Sequence, residues 1–108
     1  MLSGSVILHT QPVVKFAAIG DYGRWYTEGE ALVSDMIHSW NPDFIITLGD
    51  NNYENGADST IDSNIGQFYH NYIHPYNGVF GIGSAVNRFF PSLGNHDWLT
   101  DSARPYFN

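Results

Sequence analysis

Three apolar segments of this 108-residue chain each end in a glycine that is followed by an oxygen-bearing side chain. They read FAAIG before Asp21, IITLG before Asp50 and FPSLG before Asn95. Short apolar runs bounded by glycine or proline are typical of buried strands. Glycine allows the chain to turn sharply and to approach a ligand closely. We therefore expect a sheet in which three strands end in the same polar pattern.

The segments between the apolar runs have helical periodicity. Residues 27–40 start with Thr27 and Glu30 at the spacing of a capping box, and a second helix is predicted over 61–73, before Pro75. The first helix places four apolar residues on one face: Val33, Met36, Ile37 and Trp40. Its acidic residues are expected to form a solvated face: Glu28, Glu30 and Asp35.

The order of these segments is β-α-β-α-β, with strands expected over 13–19, 44–48 and 89–93. Chains of this kind form an α/β fold with a mostly parallel sheet and right-handed crossovers. Pro91 favours an edge position or an irregular ladder for the third strand. Ligands of such folds bind beyond the carboxyl ends of the strands. The three strand-end side chains are therefore expected to meet at one edge.

Two carboxylates and an amide at one edge, without a basic partner, would repel one another unless a multivalent cation bound there. Oxygen ligands suit hard cations such as magnesium, manganese and ferric iron. Tyr53, three residues after Asp50, would add a phenolate. His96 follows the third strand directly, and Asp97 would orient its ring. The spacing permits a metal site, although a single Gly-Asp pair is more often a turn or a helix cap.

Several other residues have two readings from the sequence alone. His70 and His74 are four apart, which is a metal-ligand spacing, but histidine is also favourable near a helix C-terminus. Four side chains beside the motifs are equally compatible with a substrate pocket and with packing: Tyr22, Arg24, Trp25 and Trp98.

Composition excludes several classes of protein. Eleven acidic and four basic residues give a net charge of −7, which argues against binding nucleic acid or an anionic membrane. The absence of cysteine removes disulfides and thiolate metal sites. Residues 1–14 lack the basic start and the long apolar stretch of a signal peptide, and no apolar run is long enough to span a bilayer.

The motifs themselves resemble those of a known family. GDYG at 20–23, GDNNY at 49–53 and GNHD at 94–97 are similar to the first three motifs of calcineurin-like metallophosphoesterases. The tyrosine of GDNNY resembles the purple acid phosphatase branch, and NPDFIITLGDNNY and FFPSLGNHDW are similar to its small, tartrate-resistant-type members. By this resemblance, residues 1–14 are a leader or variable N-terminus. The resemblance also implies that residues 15–108 would be the N-terminal part of a phosphoesterase domain whose C-terminal part is absent from this sequence.

The resemblance implies a site with two metal ions. Asp21, Asp50 and Tyr53 would hold the first metal, typically Fe3+. Asp50 would bridge to the second metal, Fe2+, Zn2+ or Mn2+, with Asn95 as one of its ligands. The family's later histidine motifs are not in this sequence, so both metals would lack ligands.

The resemblance also implies the chemistry. A metal-bound hydroxide would hydrolyse a small-molecule phosphate monoester, His96 would contact the phosphate and assist the leaving group, and Asp97 would support His96. The parent protein would be an enzyme, exported to the periplasm or secreted, and the 108-residue chain alone would be weakly active or inactive. A phosphodiesterase or nucleotide hydrolase of the same superfamily remains an alternative. So does a short non-catalytic module that binds a metal or a partner chain.

Overall fold

The computed structural model describes residues 2–24 and 27–107. Segment 2–14 is exposed and has no regular secondary structure, and the first anchored residue is Lys15, whose amide donates to the Asp43 carboxylate at 2.8 Å. The main elements are β1 (Phe16–Ile19), α1 (Glu28–Trp40), β2 (Phe44–Thr47), a helical segment α2 over 58–72, and β3 (Phe89–Phe90). A short 3₁₀ segment, Asp101–Tyr106, follows.

Segment α2 is continuous but changes its winding along its length. It passes from an α-turn through a π-turn and a second α-turn to a 3₁₀ turn: Asp58–Ile61, Asp62–Gly66, Gln67–Tyr69 and His70–Tyr72. The helix predicted over 61–73 is therefore present and begins three residues earlier. Neither this segment nor α1 is long and apolar enough to cross a membrane, and the same holds for every helix in the two ranges that the structure describes.

The three strands form one parallel sheet in the order β1-β2-β3. Phe16 lies opposite Phe44, and Ile45 lies opposite Phe89. The α/β fold and the parallel order expected from the sequence are therefore confirmed. The consequence for function is that all three strands end at the same edge of the sheet.

All three strands are shorter than the apolar runs that predict them, β2 by one residue and β1 and β3 by three each. Val13 and Val14 are exposed, and β1 begins only at Phe16. Strand β3 ends at Phe90 because Pro91 has no amide hydrogen for the ladder. The Ser92 amide then donates to the hydroxyl of Thr47 at 3.0 Å, so a side chain replaces the main-chain pairing.

The predicted orientation of α1 is wrong. Its buried residues are Glu30, Ser34 and Ile37, whereas most of the predicted apolar face is exposed. The helix docks through polar atoms, since the Ser34 hydroxyl and the His38 ring both lie within hydrogen-bond distance of the Phe68 carbonyl oxygen. The outward-facing apolar side chains are Leu32, Val33, Met36 and Trp40.

The predicted capping box is also absent. The Thr27 hydroxyl donates to the carbonyl of Arg24 at 3.4 Å rather than capping the helix. Glu30, expected in solvent, is 4% exposed, and neither of its carboxylate oxygens has a hydrogen-bond partner in the described chain. Burial raises the pKa of Glu30 to about 8, because the ionised carboxylate would be poorly solvated there.

The hydrophobic core lies on one face of the sheet only. There the side chains of Ile19, Ile45 and Phe89 pack with Tyr69 and Tyr72 of α2. The opposite face carries an aromatic row across all three strands. The row consists of Phe16, Phe44 and Phe90. The Phe44 ring centroid lies 5.4 Å from that of Phe16 and 6.0 Å from that of Phe90. Phe16 and Phe90 are 55% and 49% exposed, so this face is largely uncovered.

Candidate metal site at the carboxyl edge of the sheet

The three strand ends meet at the carboxyl edge of the sheet. Asp21 and Asp50 lie just beyond β1 and β2, and the Asp21 amide donates to the Gly49 carbonyl at 3.1 Å. The connection after β3 reaches the same place, since the His96 amide donates to Asp50 Oδ1 at 3.0 Å. A backbone hydrogen bond therefore joins the first motif to the second, and a backbone-to-side-chain hydrogen bond joins the third motif to the second.

Three side-chain oxygens converge at this edge. The Tyr53 hydroxyl donates to Asp21 Oδ1 at 2.5 Å and lies 3.3 Å from Asp50 Oδ2. The hydrogen bond to Asp21 is the main reason that the pKa of Tyr53 lies well above its usual range. The phenol proton thus partly neutralises two neighbouring carboxylates, a role that a bound cation would fill more completely.

Both carboxylates sit on unusual backbone. Asp21 and Asp50 have φ values of 54° and 53°, in the left-handed region. Asp tolerates this region better than most residues, but such a conformation still costs on the order of 1 kcal/mol or more. Strained residues of this kind concentrate at functional sites. Two of them side by side, each bearing a ligand-type side chain, favour a binding role for this edge.

Glycine is required where the second and third strand ends cross. Gly49 has φ 106°, and a Cβ on it would lie 3.1 Å from Gly94 Cα. A Cβ on Gly94 would lie well inside van der Waals contact of the Asp50 carboxylate and amide. The glycine of each motif therefore lets the backbones approach until the acidic side chains are neighbours.

A buried amide network holds Tyr53 in place. Its amide donates to the Gly23 carbonyl at 2.8 Å, and its own carbonyl accepts from the Asn64 side chain at 3.0 Å. Asn64 also donates to Asn52 Oδ1 at 2.7 Å, and both asparagines are fully buried. The sequence analysis does not predict this network. The polar run NNY directly after a buried strand was the available signal.

The His96 ring is oriented by the main chain. Its Nδ1 lies 2.5 Å from the carbonyl oxygen of Glu54, which can only accept, so Nδ1 carries the hydrogen. Nε2 is then the ring nitrogen that remains available to contact a ligand. The ring also packs on Tyr53, with centroids 4.4 Å apart.

Asp97, predicted to support the His96 ring, makes no hydrogen bond to that ring within the described residues. Its carboxylate is fully buried and accepts from backbone amides and from a phenol instead. The reason is geometric, because five donors surround it while the ring turns to Glu54. The donors within 3.1 Å are the backbone amides of Asn51, Asn52 and Gly94, the side-chain amide of Asn51 and the hydroxyl of Tyr106. Tyr106, outside every motif, was not identified from the sequence.

Asn95 lies in the connection after β3, five residues beyond Phe90, and it is exposed. It makes no hydrogen bond to Asp21, Asp50 or Tyr53 in the structure, and its role as a metal ligand stays a prediction. The histidine pair is engaged elsewhere, since the rings of His70 and His74 lie near backbone carbonyl oxygens at 3.0 Å and 2.9 Å.

The side chains beside the motifs separate into different environments. Tyr22 is buried in the core, with its ring edge-on to Tyr69 at 5.6 Å, so packing explains it. Trp98 is half exposed. Arg24 is exposed and lies against the Tyr53 ring. Trp25 lies outside the described residues.

The side chains at this edge are of the kind that bind a hard cation, but they offer few donor atoms. They are two carboxylates and one phenol, all oxygen, in a position where like charges would otherwise repel. Across 2–24 and 27–107, no group of three or more His, Cys, Asp or Glu side chains is arranged to hold a metal. The arrangement can therefore supply part of a coordination shell, and it would need further donors for a tight site.

Comparison with known proteins places this edge in context. The chain is 31% identical to Purple acid phosphatase 17 of Arabidopsis thaliana over 93 residues, which cover 82% of the present chain. Purple acid phosphatases 7 and 3 of the same plant are 31% and 29% identical over 79% and 85% of the chain. These similarities support a relationship to the purple acid phosphatases, a class of hydrolases.

The matches cover only part of those relatives. The chain spans about a quarter of the length of each curated protein that it matches. No family model matches the chain, and no solved structure matches it significantly.

Proposed function

We propose that this chain forms part of a metal-dependent phosphate monoester hydrolase of the purple acid phosphatase kind. The observation that supports the proposal best is the convergence of the Tyr53 hydroxyl with the carboxylates of Asp21 and Asp50. These three residues belong to motifs that follow parallel strands, and three purple acid phosphatases resemble the chain over about four-fifths of its length.

Asp21, Asp50 and Tyr53 would hold one metal ion, typically Fe3+. Asp50 and Asn95 would contribute to a second ion, Fe2+, Zn2+ or Mn2+, whose other ligands lie outside these residues. When bound, the ions would lower the pKa of a water molecule and offset the charge of the phosphate. This second role matters here, because the chain has a net charge of −7 and would otherwise repel a phosphate ester.

The chain's own residues would then handle the substrate. His96 presents Nε2, because the Glu54 carbonyl accepts the hydrogen of Nδ1. In the imidazolium form Nε2 carries the second proton, which it would donate to the departing oxygen, leaving the neutral ring with its hydrogen on Nδ1. Contact with the Tyr53 ring limits the tilt of the imidazole. Asp97 would have a positioning role. It accepts hydrogen bonds from the loops after β2 and β3, and these bonds would hold Asp50 and His96 in position.

The test of the metal site uses Fe3+ and two tyrosine variants. Fe3+ bound by a tyrosinate absorbs visible light, so we expect a visible band on adding Fe3+ to the chain. Tyr53→Phe should abolish the band. Tyr76→Phe is the matched control, because its hydroxyl also donates to a carboxylate, Asp62, at 2.5 Å but away from this edge. Equal bands in the two variants would contradict the proposed ligand.

The test of the reaction compares two chromogenic substrates with added metal. We expect p-nitrophenyl phosphate to be cleaved faster than bis-p-nitrophenyl phosphate by a longer protein that contains this chain. The 108-residue chain should be weakly active or inactive, because its donor set is small. Faster diester cleavage would favour the phosphodiesterase alternative. Metal binding without hydrolysis by the longer protein would favour a binding module.

A further inference from the structure

Arg24 differs from the other basic side chains in its position. Its guanidinium carbon lies 5.3 Å from the centroid of the Tyr53 ring, and it forms an ion pair with Glu54. The other three Lys and Arg side chains have partners elsewhere. Lys15 donates to the Trp40 carbonyl, and Arg104 pairs with Asp101. Arg88 donates to the Asn71 carbonyl and lies over the Tyr72 ring. Arg24 is thus the basic side chain in contact with the candidate metal site.

The chemistry of this position suits an oxyanion. Guanidinium groups bind phosphate oxygens in pairs, with planar geometry and charge-assisted hydrogen bonds. The Arg24 side chain is 58% exposed, so a ligand can reach it. A strongly acidic chain offers few alternatives for binding an anion.

The present partner of Arg24 is easily exchanged. Both members of the Arg24–Glu54 pair are more than half exposed, and such surface pairs contribute only about 0–1 kcal/mol. A phosphate dianion carries more charge than a carboxylate and can therefore displace Glu54 at small cost. The Glu54 backbone carbonyl meanwhile keeps its contact with His96 Nδ1, so exchange of the side chain leaves the imidazole in place.

We propose that Arg24 anchors the phosphate of the substrate and that Glu54 competes for the guanidinium when no substrate is bound. Arg24 and His96 both contact the Tyr53 ring, and both bond to Glu54, one to its carboxylate and the other to its carbonyl. A phosphate that replaced the Glu54 carboxylate would therefore bind close to the residue that orients His96. This inference rests on the proposed function, because it assigns a subsite to the same edge.

The test measures binding of inorganic phosphate by calorimetry, with and without Mn2+. Arg24→Gln should weaken phosphate binding about tenfold, which corresponds to one charge-assisted interaction of about 1.4 kcal/mol. Arg104→Gln is the matched control, because it removes the same charge from an equally exposed ion pair, and it should change binding less than twofold. Glu54→Gln should tighten binding about two- to threefold.

The outcomes separate the two proposals. Arg24→Gln should not weaken Mn2+ binding, because it removes a positive charge beside the site, and its melting temperature should match that of Arg104→Gln, which loses an equally exposed ion pair. A purely structural role for Arg24 would lower both the Mn2+ affinity and the melting temperature. Equal phosphate affinity in the two arginine variants, weaker binding in Glu54→Gln, or no phosphate binding under either condition would overturn the anchor. Failure to take up Mn2+ would count against the metal site alone. The metal-free titration is therefore repeated at an ionic strength that screens the net charge of −7, where the difference between the two arginine variants decides on Arg24.

Discussion

Glu30 is a buried carboxyl group that lacks a partner in the described chain, and it makes folding dependent on pH. Its pKa is about 8 in the folded chain, against an ordinary value of 4.5. The folded state therefore binds the proton more tightly than the unfolded state does. The sign follows from linkage: the stabilisation is complete below about pH 4.5 and is lost as the pH rises towards 8.

We therefore predict that Glu30→Gln reduces the fall in stability between pH 5 and pH 8. The wild-type chain should lose on the order of 2–4 kcal/mol over this range, because the carboxylate must ionise in a poorly solvated position. Thermal or urea unfolding at several pH values measures the effect. Glu28→Gln is the control, because Glu28 is exposed on the same turn of α1. Parallel curves for wild type and Glu30→Gln would contradict the prediction.

At the residue scale, the sequence identified the strand-end side chains but not what orients them. Asp21, Asp50 and Tyr53 were predictable because parallel strands bring their ends together. The partner of the His96 ring was not, because a backbone carbonyl such as that of Glu54 has no sequence signature. Glu30 was misplaced for a similar reason, since an acidic residue on a helix is usually solvated.

At the element scale, the crossing of the loops after β2 and β3 depends on Gly94. We predict that Gly94→Ala destabilises the chain by more than about 2 kcal/mol, because its Cβ would overlap the Asp50 amide and carboxylate. It should also weaken Fe3+ binding, since Asp50 would be displaced. Chemical denaturation and the visible band report the two effects separately.

The control for this prediction is Gly29→Ala. Gly29 lies in α1, and no other part of the described chain beyond the neighbouring helix backbone lies within 4 Å of its added Cβ, so alanine should stabilise the helix by about 0.5–1 kcal/mol. The two substitutions add the same methyl group, and only the space around it differs. A Gly94→Ala variant as stable as wild type would show that the two loops can separate without loss.

Element order was predictable here, whereas element orientation was not. Apolar runs and helical periods gave β-α-β-α-β because they depend on local sequence. The rotation of α1 depends on Ser34 and His38 reaching the Phe68 carbonyl, a contact between residues about thirty positions apart. Periodicity predicts that the apolar face of α1 points to the core. These long-range hydrogen bonds and the burial of Ile37 instead leave most of that face exposed.

At the scale of the whole molecule, one face of a parallel sheet is left apolar and uncovered. Parallel sheets are usually covered on both faces, and the exposed rings of Phe16 and Phe90 depart from this pattern. Burial of such a surface is favourable at about 25 cal/mol per Å². The net charge of −7 opposes association of identical chains.

We predict that the chain self-associates, and more strongly as salt screens its charge. Analytical ultracentrifugation at low and high ionic strength measures this. The double variant Phe16→Lys/Phe90→Lys should stay monomeric at concentrations where wild type associates. The control is Leu2→Lys/Val6→Lys, which makes the same charge change in the exposed N-terminal segment. Equal association of the two double variants would exclude the sheet face as the contact.

The bonds of Asp97 have a consequence for the timing of metal uptake. Its carboxylate gathers the amides that follow β2 and β3, so the loops that carry Asp50 and His96 are set during folding rather than by the ion. An incoming ion would then lose little free energy to ordering the chain. Its capture would be limited by displacing the phenol proton of Tyr53, and uptake should release that proton to the solvent.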